Sequence, residues 1–203
     1  MDKYVITVTR QFGSMGRPIA KKLAEILGIA YYDRDLINLT AEELGLPAEK
    51  IYMQEEKAKA SVFNPDVEVM GRPIWARSRD LGDDIFAVQK DLIKKFAAEQ
   101  SCVIVGRCSD FILSEEENAM HVYIYAPYDM RFKYSVEMLG LSEDEARRTI
   151  HKVDEARENY RMQYAGFRAD DKRYKDLMID SSFLGIDATA EYLAQAARIR
   201  FGV

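Results

Sequence analysis

The run Arg10-Gln11-Phe12-Gly13-Ser14-Met15-Gly16-Arg17 holds the first residues in this chain whose types and spacing could do chemistry. A turn between a buried strand and a helix N-terminus presents free backbone N–H groups and the positive end of a helix dipole, and both favour an anion. Gly13 and Gly16 let the backbone wrap closely, and Arg17 puts a charged donor at the helix start. The strict phosphate-loop pattern GxxxxGK(S/T) is absent. Aligning Gly16-Arg17 on its Gly-Lys puts Gln11 at the first glycine and Pro18 at the hydroxyl residue. The loop alone supports two readings. One is a phosphate cradle made by Gly13, Ser14, Met15, Gly16 and Arg17; the other is a strand-to-helix turn whose glycines serve geometry only.

Most other candidates are arginines, whose planar fork can donate two hydrogen bonds to one phosphate. Arg107 follows Val103-Ile104-Val105-Gly106, so it falls at the carboxyl end of a strand, where ligands bind in open α/β sheets. Asp33 and Arg34 follow Ile29-Ala30-Tyr31-Tyr32 in the same way, and Asp33 could equally cap the next helix. Between 142 and 163, helical spacing puts Arg147, His151, Asp154, Glu158 and Arg161 on one face, with Arg148 and Arg157 in the same stretch. A charged helix face is ordinarily a solvated surface, yet here the arginines continue to Arg168 and Arg173. His121 and His151 lack metal-ligand spacing and read as structural or exposed. Tyr31, Tyr32, Tyr123 and Tyr125 read as core, and Trp75 as either a base-stacking or a packing side chain.

The elements that must position these groups follow from periodicity. Tyr4–Thr9 is a short β-branched run, a strand buried on both faces. Ile19, Ala20, Leu23, Ala24 and Leu27 recur at helical spacing, and Gly28 stops that helix. Ile29–Tyr32 gives a second strand, then a helix through Leu44, which is βαβ spacing. A helix over 84–99, a strand over 101–105, a strand over 121–125 and a helix to Leu139 follow. Ser142-Glu143-Asp144-Glu145 is a capping-box signature for a long helix, and Leu177–Asp180 and Ala188–Phe201 form a last strand and a closing helix. Strands alternating with helices predict a parallel sheet covered on both sides. The stretch 47–82, broken by Asn64-Pro65 and Gly71-Arg72-Pro73, resists this reading.

Composition bounds the partners. The chain has 203 residues, 48% hydrophobic and 31% charged, enough to bury a core without disulfides or metal. Cys102 and Cys108 are too few and too close for a disulfide framework and read as thiols of a reducing compartment. No apolar run is long enough to span a membrane and no leader is read ahead of the first strand, so the expected location is cytoplasmic. A net charge of −5 argues against a nucleic-acid polymer, whereas local arginine clusters suit a small phosphorylated ligand.

The segments 10–17 with 20–24, 28–37, 103–107, 142–148 with Asp154 and Arg157, and 177–182 occur in an order that resembles the cytidylate kinase-like family. That resemblance implies a P-loop NTPase-like three-layer α/β fold. It has a five-stranded parallel sheet, helices on both faces, and helical monophosphate-binding and lid segments. It implies one such domain over 1–203, with mobile segments at about 47–82 and 142–170, the like-charged arginines of 142–170 standing away from an empty site. The implied function is a phosphotransferase moving the ATP γ-phosphoryl group to a small phosphorylated acceptor, CMP first. Alternatives are a silent nucleotide-binding sensor or partner protein, or a kinase of another small metabolite. Arg17, Arg107 and Arg157 would be catalytic, and Gly13–Arg17 with Arg148 and Arg161 would hold ATP phosphates. Asp33, Arg34, Arg107, Asp154 and Arg157 would hold the acceptor. Pro18 has no hydroxyl, and Val105 stands where cytidylate kinases carry an aspartate. Magnesium is therefore expected mainly on ATP oxygens and water, with Asp33 or Asp110 as the carboxylates that could aid it. The partners are small nucleotides, with no membrane, and monomer and homodimer both remain open.

Overall fold

The computed structural model describes residues 3–33, 35–51, 68–69 and 72–203. The expectations for Arg34 and for 52–67 lie outside the described residues. In chain order the first elements are β1 (Val5–Arg10), α1 (Gly16–Leu27), β2 (Ala30–Tyr32), α2 (Asp35–Leu44), β3 (Glu68–Val69), β4 (Arg72–Pro73) and α3 (Ile74–Glu99). Then come β5 (Cys102–Val105), α4 (Ser109–Ile112), β6 (Ala119–Tyr125), α5 (Tyr128–Glu137), α6 (Glu143–Tyr164), β7 (Leu177–Asp180) and α7 (Ser181–Phe201).

Five strands form a sheet in the order β2-β5-β1-β6-β7. Every neighbouring pair is parallel, with Ile6 opposite Val103 on one side and Met120 on the other. β1 is therefore central, and its carboxyl end delivers the chain into the loop at 11–15. Because both faces are covered, the strands are mostly apolar rather than alternating. Ile6, Val8, Val103, Val105, Val122 and Ile124 meet α1 and α7 on one side. Val5, Cys102 and Ile104 meet Leu36 of α2 and Leu92, Ile93 and Phe96 of α3 on the other. This is the predicted five-stranded parallel α/β architecture.

Local signals act as their chemistry requires. Gly28, at φ 64°, closes α1 with its N–H on carbonyls of the last turn. Ser142 and Glu145 form the reciprocal capping box that starts α6. Two elements differ from expectation. The backbone of α3 begins at Ile74, and α7 begins at Ser181 rather than Ala188. In α7 the Asp180 carboxylate caps Ser182, and Gly185 at φ 74°, ψ −172° interrupts the helix. Apolar periodicity therefore restarts only after that break.

Candidate functional site

The loop after β1 is held by its own polar side chains. Gln11 donates its N–H to the Ile124 carbonyl at 3.1 Å and accepts from the Ala126 N–H on Oε1 at 3.2 Å. The buried Ser14 hydroxyl donates to the carbonyls of Gln11 and Ile124, and Ser181 Oγ donates to the Ser14 carbonyl at 2.6 Å. Ser14 can thus offer a ligand its backbone but not its hydroxyl. Gly13 has φ 74°, and a Cβ there would lie 2.8 Å from the Arg131 carbonyl. Gly13→Ala should therefore lower stability by about 1–3 kcal/mol, read as a fall in the thermal midpoint. An unchanged midpoint would show that the loop conformation is not enforced. Met15 also sits in the left-handed region, and Gly16 opens α1, whose first N–H groups have no partner within the helix.

Arginines converge beside this loop on one enclosed carboxylate. Asp33, 3% exposed, is paired with Arg17 through Nε, with Arg10 at 3.8 Å and with Arg107 at 3.9 Å. The Tyr31 hydroxyl donates to it at 3.4 Å, and burial together with the Asp33 charge pushes that phenol up to about 12. Arg157 Nη1 donates to the Arg10 carbonyl at 3.2 Å and stands 3.9 Å from Asp154. Burial first, with Arg17 and Arg107 adding to it against Asp154, brings Arg157 down to about 10. Arg107 reaches the cluster because Gly106, Arg107 and Cys108 all have positive φ, which turns the chain sharply off β5.

The structure therefore brings together Gly13–Arg17, Asp33, Arg107, Asp154 and Arg157. It treats the rest differently. Asp154 accepts from the Phe12 N–H at 2.7 Å and from Arg131 Nη1 at 2.5 Å, which docks α6 onto the loop. The carboxylate of Asp154 offsets the like charges of this stretch and holds the helix against the loop. Arg148 is exposed on α6. Arg161 is not at the loop. Its guanidinium binds Asp110 with both Nη atoms, at 3.0 and 2.5 Å, and Lys175 closes on the same carboxylate. His121 is structural, bonded to Thr7 Oγ1 at 2.8 Å. Arg10, Arg131 and Lys175 are the positioning residues that sequence reasoning missed. For Arg10 a signal existed, a cation ending an otherwise apolar strand.

Beside the loop lies a cavity of about 250 Å³, lined among others by Arg10, Gln11, Tyr123, Asp154, Arg157 and Arg168. Guanidiniums and carboxylates on its walls suit a ligand with both an anionic and a hydrogen-bonding part.

The sequence matches the cytidylate kinase-like family over residues 5–183. The chain belongs to that family. Among curated relatives, the cytidylate kinase of Methanopyrus kandleri is 24% identical over 193 residues, covering 95% of this chain and 92% of its own. An uncharacterized protein from Eubacterium ventriosum superposes with a TM-score of 0.69 at 26% identity, covering 96% of this chain and 98% of its own. Shikimate kinase from Bacteroides thetaiotaomicron shares the fold at a TM-score of 0.54 and 12% identity, covering 98% and 99%. The fold is thus shared with shikimate kinase, and family membership supports a kinase-like function.

Kinases of such families work with nucleotide and magnesium, so the protein oxygens available to a metal matter. Pro18 and Val105 offer no side-chain oxygen, and Val105 is wholly buried. Asp33 is engaged by Arg17, and Asp110 is enclosed by Arg161 and Lys175. Among the described residues no group of three or more His, Cys, Asp or Glu could hold a metal ion. Among the described residues, Pro18, Val105, Asp33 and Asp110 do not fit a magnesium ion held by the protein. Nor is any helix among them long and apolar enough to cross a membrane.

Proposed function

We propose that this chain transfers the γ-phosphoryl group of ATP to a nucleoside monophosphate, CMP before others. The supporting observation is the convergence of Arg10, Arg17, Arg107 and Arg157 on the loop at the carboxyl edge of a parallel sheet. Phosphoryl transfer asks a protein mainly to hold two phosphates in line and neutralise their charge. In this reading the backbone of Gly13–Arg17 and the Arg17 side chain take the donor phosphates. Arg107 and Arg157 take the acceptor phosphate, and Asp33, Arg34 and Asp154 take its hydrogen-bonding groups. Arg148 would join on closure, whereas the reading does not use Arg161.

The test is a panel of monophosphates with ATP and magnesium, followed by coupled ADP release. Acceptor-dependent ADP release strongest with CMP is the expected outcome, and its absence with every acceptor would leave a nucleotide-binding protein without turnover. Pro18, Val105 and the engaged Asp33 favour that second reading, because they withhold metal ligands. Arg157→Ala should lower turnover far more than ATP affinity, since its contact would strengthen in the closed state. Equal losses in both would make Arg157 an ordinary ground-state ligand.

A further inference from the structure

Arg10 is the residue around which the two glycine turns of the site are cut. A Cβ at Gly16, at the start of α1, would lie 2.7 Å from Arg10 Cβ. A Cβ at Gly106, at the end of β5, would lie 2.5 Å from Arg10 Nη1. Real Cβ atoms do not approach so closely, so the fixed Arg10 Cβ excludes a larger residue at Gly16. At Gly106 the φ of +80° favours glycine, and a larger residue would have to displace the end of the Arg10 side chain. The path carries the guanidinium from the central strand, past the helix N-terminus, to the carboxyl edge of the sheet.

That placement is costly. The side chain is only 9% exposed, and its carboxylate partner, Asp33, stands 3.8 Å away and is shared with Arg17 and Arg107. Burial, with Arg157 next and then Arg107 and Arg17 against the attraction of Asp33, pushes Arg10 well below the ordinary arginine range. A fold needing only to close this gap would be served better by an apolar side chain. Among the described residues Arg10, Arg17 and Arg107 meet at one carboxylate, Asp33, while Asp154 is already bound to Arg131 and the Phe12 N–H. These guanidiniums stand beside the loop where Pro18 and Val105 offer no metal ligand.

We propose that Arg10 is a phosphate-binding residue and that this site takes a polyphosphate chain without a metal ion held by the protein. The inference rests on the phosphate reading of the same loop. A guanidinium needs no dehydration of a metal and is fixed before the ligand arrives, so it supplies positive charge in place of the ion.

The experiment is calorimetric titration of the whole protein with ATP and with inorganic tripolyphosphate, each in EDTA and in excess magnesium. It is repeated for Arg10→Met, which fills the same channel without charge, and for Arg10→Lys. Expected for the native chain is binding in EDTA within about threefold of that in magnesium. Arg10→Met should lose at least about tenfold in EDTA, the worth of one charge-assisted hydrogen bond. Arg10→Lys should recover part of it. Arg10→Met should melt no lower than the native chain, since a buried charge has been removed. Binding by the native chain in magnesium but not in EDTA would overturn the proposal, as would native affinity in Arg10→Met. A lower melting point with unchanged binding would make Arg10 a purely structural ion-pair partner and overturn it too. Tripolyphosphate binding lost in Arg10→Met, with no ATP binding by the native chain, would uphold Arg10 while ending the nucleotide reading. Binding of neither probe by the native chain would end both.

Discussion

Asp110→Asn is expected to destabilise this protein by about 3–5 kcal/mol, the cost of leaving buried charges without their counter-ion. Asp110 is 1% exposed at its side chain, and Arg161 and Lys175, at 5% and 0%, both close on it. Thr9 Oγ1 adds a hydrogen bond at 3.3 Å. The amide would keep the shape and lose the charge, stranding two cations between α6 and the sheet. For a chain of this size the thermal midpoint should fall by about 2–4 °C per kcal/mol. Lys175→Met should cost much less, because it removes the surplus cation rather than the shared anion. The same cluster predicts acid sensitivity. Burial alone would raise the Asp110 carboxyl, but the hydrogen bonds and charges of Arg161 and Lys175 outweigh it and hold it below its ordinary range. A depressed carboxyl contributes stability above its unfolded value of about 3.9, and that contribution is lost as pH falls through the lower folded value. Chemical denaturation of both variants at neutral pH, and of the native chain between pH 6 and pH 2, reads these effects. A loss below about 1 kcal/mol for Asp110→Asn would place the cluster in solvent-like surroundings.

Arg17→Ala and Asp33→Asn are expected to move polyphosphate affinity in opposite directions. In this structure Arg17 is turned onto Asp33 through Nε, with Nη2 at 3.5 Å from the other oxygen. Its side chain is still 44% exposed, so it can swing to a ligand. Arg17→Ala should cost about 1.5–3 kcal/mol for each charge-assisted hydrogen bond to the donor phosphates, which is tenfold or more in dissociation constant. Folding should survive, because Arg10 and Arg107 still face Asp33. Asp33→Asn releases Arg17 from its internal anion, so ATP and tripolyphosphate should bind more tightly. Turnover with a monophosphate should fall if Asp33 also meets the acceptor. Calorimetry for affinity and coupled ADP release for turnover separate the two roles. A loss of ATP affinity in Asp33→Asn would mean that Asp33 aims Arg17 at the phosphates rather than competing with them.

Much of this protein follows from its sequence because the signals are local. Apolar runs such as Val5-Ile6-Thr7-Val8, too uniform for a half-wet sheet, required a parallel sheet covered on both sides. Gly28 and the Ser142–Glu145 capping box fixed helix ends through hydrogen bonds within a few residues. The loop between β1 and α1 and the turn after β5 could be placed at the carboxyl edge for the same reason. Family membership too rests on the order of short motifs along the chain.

Tertiary structure alone decided which charges meet. Arg161 and Asp154 lie on one helix and look alike by spacing, yet Arg161 goes to Asp110, 51 residues away, and Asp154 to the Phe12 N–H, 142 residues away. Helical periodicity gives a face, not the element that face will meet. The sequence marked Arg10 as a cation ending an apolar strand but not its enclosure, because a cation at a strand end is usually solvated. Only the approach of Gly16 and Gly106 from two other segments encloses it. A charged group's role depends on how many counter-charges share its enclosure, and that number exists only once distant segments have been packed together.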